Sequence, residues 1–144
     1  MLLGLFVLAC NNTEIEKQDY SFPDDFSGWV FVEYGVNDAP KLEKIGGREQ
    51  VQIPKNGVLQ IPNPFVSSRL DHRYKTKSGT VLPDLSLERL SYDEEKQAIR
   101  EKSFVCCGGT ATITKQGHFQ RTFSYFYVGK GPAKERPELP TESK

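Results

Sequence analysis

Six consecutive residues, Trp29-Val30-Phe31-Val32-Glu33-Tyr34, constrain this chain more than any other feature. Nearly all are β-branched or aromatic, which favours extended backbone, and the run is too short for a buried helix. A strand that is apolar on both faces needs cover on both faces. The chain must therefore build layers around this segment, and its 144 residues suffice for one ordinary domain.

Other segments carry the same preference. Val51-Gln52-Ile53-Pro54 and Leu59-Gln60-Ile61-Pro62 flank Lys55-Asn56-Gly57. A two-residue Asn-Gly loop would mix apolar and polar residues on each face. A three-residue loop opposes Ile53 to Leu59 and Val51 to Ile61, sorts the faces, and needs left-handed backbone at Gly57. A hairpin is expected. The same device links Thr110-Ala111-Thr112-Ile113-Thr114 to residues 118–128 through Lys115-Gln116-Gly117, pairing Ile113 with Phe119 and Ala111 with Arg121. One face then collects Ala111, Ile113, Phe119, Phe123, Tyr125 and Tyr127, with the Arg121 stem lying along it. The opposite Thr/Gln/Ser face suits solvent. His72-Arg73-Tyr74-Lys75-Thr76 reads as a further strand. Ser91 and Glu94 form a capping box that opens a short surface helix over 93–102. The expected fold is mainly β: a single antiparallel β-sandwich or small open barrel with one short surface helix.

The amino-terminal end differs in kind. Residues 1–9 contain no polar side chain, and Val7-Leu8-Ala9-Cys10 resembles the lipobox of bacterial lipoproteins. That resemblance implies a signal peptide over 1–9, cleavage after Ala9, and lipidation at Cys10 with acyl chains such as palmitate. No Lys or Arg precedes Cys10, as a signal peptide requires, so the start codon is expected to have been assigned too far downstream. The expected location is the bacterial cell envelope, with the chain lipid-anchored to a membrane. Asn11 after the cysteine favours the outer membrane by the sorting rule of enteric bacteria. The expected organisation continues with a lipidated tether over 10–23, a β-rich domain over 24–129 and a disordered, proline-containing tail over 130–144.

Charge narrows the function classes. Nineteen basic residues balance nineteen acidic ones, which removes the electrostatic footprint of nucleic-acid binding. No apolar run reaches the roughly 18–20 residues of a transmembrane helix.

Three groups could carry chemistry. Cys106-Cys107 is either a pair of small buried strand residues or a vicinal disulfide or thiol pair, the latter needing Gly108-Gly109 to supply a bulge. A nucleophilic pair of Cys107 with His118 is excluded because His118 lies seven residues before the Cys107 partner Tyr125, roughly 23 Å along the strand, an argument that leaves His72 unconstrained. Glu33 interrupts an apolar strand and reads most simply as solvent-exposed. Its alternatives are a buried pair with Arg121 or a pocket acid with a raised pKa. His72, between Asp71 and Arg73, reads as a surface residue, with a pocket role as the alternative. No metal or cofactor pattern is present.

Phe26-Ser27-Gly28-Trp29-Val30-Phe31-Val32-Glu33-Tyr34, followed by Val51-Gln52-Ile53-Pro54-Lys55-Asn56-Gly57, resembles a family of small bacterial lipoproteins of unknown function. The resemblance covers the first third of the body. It implies location and fold only, and transfers no catalytic residue. The leading expectation is a non-enzymatic envelope protein whose domain contacts another envelope protein or component. An envelope redox or ligand-processing enzyme using Cys106-Cys107, and a periplasmic immunity-type protein, are the alternatives.

Overall fold

A computed structural model of the chain describes residues 15–67, 70–85, 102–115 and 119–140. The described residues form eight strands: β1 (Glu16–Phe22), β2 (Gly28–Tyr34), β3 (Lys44–Ile45), β4 (Arg48–Gln52), β5 (Val58–Gln60), β6 (Leu70–Thr76), β7 (Phe104–Lys115) and β8 (Phe119–Gly129). They form two four-stranded sheets, ordered β3-β4-β1-β6 and β5-β2-β8-β7. The described residues contain no helix. The helix expected over 93–102 lies outside them except for Lys102, which sits in a bend, and so do Cys10 and the signal segment.

Both sheets are mixed, where a purely antiparallel arrangement was expected. β1 runs parallel to β4 and β6, and β5 runs parallel to β2. The first hairpin does not form. β4 and β5 lie in different sheets, and the Pro54-Lys55-Asn56-Gly57 turn carries the chain between them. Val51, Ile53 and Ile61 are buried, as the side-chain pattern demanded, but in a core that both sheets share. Alternation along the two segments fixes which of their faces are apolar, but the edges of β1 and β2 compete for them and win. Gly57 does adopt the left-handed backbone, at φ +74°.

The polar segment expected to be a tether through residue 23 is, from Glu16 onward, an interior strand of the first sheet. Its composition is polar but its alternation is not random: Gln18, Tyr20 and Phe22 are all buried. The one polar member is satisfied, since the Tyr20 hydroxyl donates to Gln18 Oε1 at 2.9 Å.

The two sheets face each other through one core. Tyr20, Phe22, Val51 and Tyr74 from the first sheet meet Val30, Val32, Val105, Phe126 and Val128 from the second. The Phe126 ring centroid lies 5.6 Å from Tyr20, 6.2 Å from Phe22 and 5.5 Å from Tyr74, so one side chain joins β8 to both β1 and β6.

β7 and β8 do pair as a hairpin, but Ala111 opposes Phe123 and Ile113 opposes Arg121. From Gly109 to Lys115 the register is displaced by two residues from expectation, and an even displacement keeps these residues on their expected faces; beyond the bulge the displacement is one, which puts Cys106 opposite Tyr127 and Val105 in the core. That aromatic face is not the inter-sheet core. Trp29, Phe31 and Glu33 share it with Arg121, Phe123, Tyr125 and Tyr127, and it forms the outside of the second sheet.

The tail covers it. Trp29 Nε1 donates to the Lys134 carbonyl at 2.8 Å, Arg136 stands 4.5 Å over the Tyr125 ring, and Arg121 Nη1 donates to the Pro140 carbonyl at 3.1 Å. Residues 130–140 are thus docked, not disordered. The tail alone has little to bury; the sheet face beneath it has a great deal. β2 is covered on both faces, as its composition requires.

Candidate functional site

Along the inner face of β8, large apolar residues at 126 and 128 give way to Ser124 and Thr122. Opposite them, β1 and β6 present Tyr20, His72 and Tyr74. Small groups facing large rings leave the layers incompletely filled, and a cavity of about 470 Å³ opens between the sheets. Tyr20, Tyr34, His72, Tyr74, Ser124 and Phe126 line its interior, and Phe65, Val66 and Leu70 also border it.

Its polar groups are mostly hydroxyls. The oxygens of Tyr34 and Ser124 lie 3.3 Å apart. Burial pushes the phenols of Tyr20, Tyr34 and Tyr74 above their ordinary value, so all three stay protonated near neutral pH and serve as donors, not bases. His72 is part of this wall and not a surface residue: its side chain is 13% exposed. Its Nδ1 lies 3.4 Å from the Tyr74 hydroxyl and its Nε2 lies 3.6 Å from Glu16 Oε1. That last distance is too long for a hydrogen bond, and both atoms are buried without one.

Glu33 and Arg121 come together, but on the other side of the second sheet. Arg121 Nε and Nη2 reach the two Glu33 carboxylate oxygens at 2.6 and 2.8 Å, and Gln60 Nε2 donates to the same carboxylate at 2.9 Å. Both residues are 6% exposed, which corrects the solvent-exposed reading of Glu33. The pocket-acid reading fails as well. The Arg121 hydrogen bond outweighs the upward pull of burial and holds the carboxyl below its ordinary value. The Arg121 guanidinium also stands 5.0 Å over the Phe123 ring.

Cys106 and Cys107 form a vicinal disulfide, with Cα atoms 3.8 Å apart. Alternation along a regular strand would send the two sulfurs to opposite faces. A β-bulge between Cys106 and Gly109 removes that obstacle, and Cys107 is the non-glycine residue with positive φ, at 61°, among the described residues. Cys106 is half-buried and Cys107 exposed, which corrects the reading of two buried strand residues. Among the described residues no group of three or more His, Cys, Asp or Glu is arranged to hold a metal.

Arg48 was missed at the sequence level. It is 8% exposed, meets Asp19 at 2.6 Å and Asp71 at 2.8 Å, and donates to the Gln18 and Asp71 carbonyls. It therefore clamps β4, β1 and β6 together. No local motif announces it, because its partners stand 29 and 23 residues away.

These features define a small two-layer, mixed-β domain with an aromatic cavity between its sheets. A family of unknown function (DUF6843) matches residues 14–77, the stretch from β1 through β6. The chain is also similar to a crystal structure from Bacillus anthracis, of a protein provisionally named a lipoprotein. The TM-score is 0.56 at 15% identity, over 91% of this chain and 85% of that one, a likeness of fold. No curated protein matches the chain.

Proposed function

We propose that this chain is a lipid-anchored bacterial envelope protein whose β domain binds a ligand or partner and does not transform it. The observation that carries the reading is an apolar edge at the start of β1. Ile15, Phe65, Val66 and Leu70 are 45%, 38%, 43% and 52% exposed. Leu70 opposes Glu16 across β1 and β6, at the end of the sheet where Ile15 leads into β1, and it shares the cavity border with Phe65 and Val66. From this edge the chain runs back to Cys10 through residues 11–15, a leash that spans at most about 20 Å when fully extended. A lipid on Cys10 would therefore hold the edge against the headgroups, where burial of apolar surface contributes roughly 25 cal/mol per Å².

Two further facts support the reading. The sequence around Cys10 resembles a lipobox, and the fold relative carries a provisional lipoprotein name. Within the domain, the buried Glu33 and Arg121 neutralise each other, and Arg48 is held by two aspartates, which is the work of structural charges.

The test is metabolic labelling of the full chain with palmitate, followed by membrane fractionation. The label should appear on the intact chain and vanish in Cys10→Ser, which should move to the soluble fraction. Leu70→Asp should keep the label yet weaken the contact of the domain with vesicles. Unchanged fractionation of Cys10→Ser would refute the anchor.

A further inference from the structure

We propose that the outer face of the second sheet is a receptor groove for an extended, proline-rich segment of a partner protein, and that the chain's own tail occupies it in cis. The inference stands whether or not Cys10 carries lipid. β2 and β8 set Trp29, Tyr125 and Tyr127 side by side on this face, with the Trp29 ring 6.2 Å from Tyr125 and 5.5 Å from Tyr127. Across them lies Arg136-Pro137-Glu138-Leu139-Pro140, which contains the Pro-x-x-Pro spacing. Proline pre-sets an extended backbone, so such a segment loses little entropy on docking, and aromatic grooves are the usual receptors for it.

The contacts are generic in the way such recognition needs. The Trp29 indole and the Arg121 guanidinium both donate to main-chain carbonyls of the tail, which any extended chain can offer. The cation over Tyr125 supplies direction. Among the described residues no backbone–backbone hydrogen bond ties 130–140 to the sheet, so the tail is held by side chains and can be exchanged. Its fit is also incomplete. A space of about 380 Å³ remains where Pro137 and Pro140 face Trp29, Phe31, Lys55 and Val58, room that a better-matched segment would fill.

The only tryptophan of the chain reports on the groove. The probe is a synthetic peptide of residues 131–144, titrated into the full chain and into the triple variant Arg136→Ala, Pro137→Ser, Pro140→Ser. Because the cis tail acts at an effective concentration of order millimolar, the variant should bind the peptide at least tenfold more tightly than the intact chain. Its Trp29 emission should be red-shifted and return on peptide addition, and a peptide with serine in place of every proline should have no effect. Equal binding of the serine peptide, or no binding to a folded variant, overturns the proposal. Should the variant fail to fold, the intact chain decides. A 131–144 peptide carrying a fluorophore should quench the indole on the intact chain in a saturable way at millimolar concentration, reversed by unlabelled peptide but not by the serine peptide; no saturable quenching, or equal reversal by the serine peptide, overturns the proposal. A concentration-dependent dimer of the intact chain that is lost in the variant would assign the groove to the tail of a second copy, and would overturn the partner protein.

Discussion

Replacing Arg121 with Met tests how the outer face of the second sheet is held together. Methionine keeps much of the apolar stem against Phe123 but removes the donors at 2.6 and 2.8 Å from Glu33. The carboxylate, 6% exposed, is left with the Gln60 amide. Breaking a buried pair from one side costs about 3–5 kcal/mol, because it strands a charge. With a urea slope of roughly 2 kcal/mol per molar, the unfolding midpoint should fall by about 2 M at pH 7. The double variant Glu33→Gln with Arg121→Met should recover most of that loss, since no charge remains to strand.

The pH dependence has a fixed sign. In the wild type the folded-state pKa of Glu33 is depressed, so its contribution is complete above the ordinary carboxyl value and fades as pH falls through the depressed one. In Arg121→Met the folded state should instead favour the neutral acid. The deficit should therefore be greatest near neutrality and shrink as the solution is acidified toward pH 4. Urea titrations monitored by Trp29 fluorescence at pH 7, 5 and 4 check this. A loss below about 1 kcal/mol, or one that does not change with pH, would refute the claim that the pair is buried and charged.

Other substitutions probe the layers separately. Phe126→Ala removes the ring shared by Tyr20, Phe22 and Tyr74, and thermal unfolding should report a loss of about 3–5 kcal/mol. Gly57→Ala forces alanine into left-handed backbone and drives its Cβ into the Trp29 carbonyl oxygen, so urea unfolding should show at least the roughly 1–3 kcal/mol of such strain. Thiol titration in denaturant should leave Cys106 and Cys107 unreactive until a reductant is added. Two extra thiols appearing on unfolding alone would contradict the disulfide.

The aromatic and β-branched runs determined that this chain makes strands, and alternation determined which side chains share a face. β2 needed cover on both sides, β6 was visible at 72–76, and the faces of the β7–β8 hairpin from Gly109 to Lys115 survived a register displaced by two. All of these follow from backbone geometry within a few residues. The Glu33–Arg121 pair and the pocket role of His72 were visible there only as alternatives, because the choice depends on what distant strands bring beside each residue. Arg121 reaches Glu33 across 88 residues, and His72 becomes a cavity wall only once β1 pairs with β6.

Tertiary structure alone decided that β4 and β5 part into separate sheets, that a polar segment starting at Glu16 becomes an interior strand, and that the proline-rich end lies on Trp29 and Tyr125. Each outcome is a competition between surfaces in need of cover. A sequence states how apolar or polar a segment is, whereas the free energy of covering it depends on the face that meets it. That face exists only when both sheets have formed.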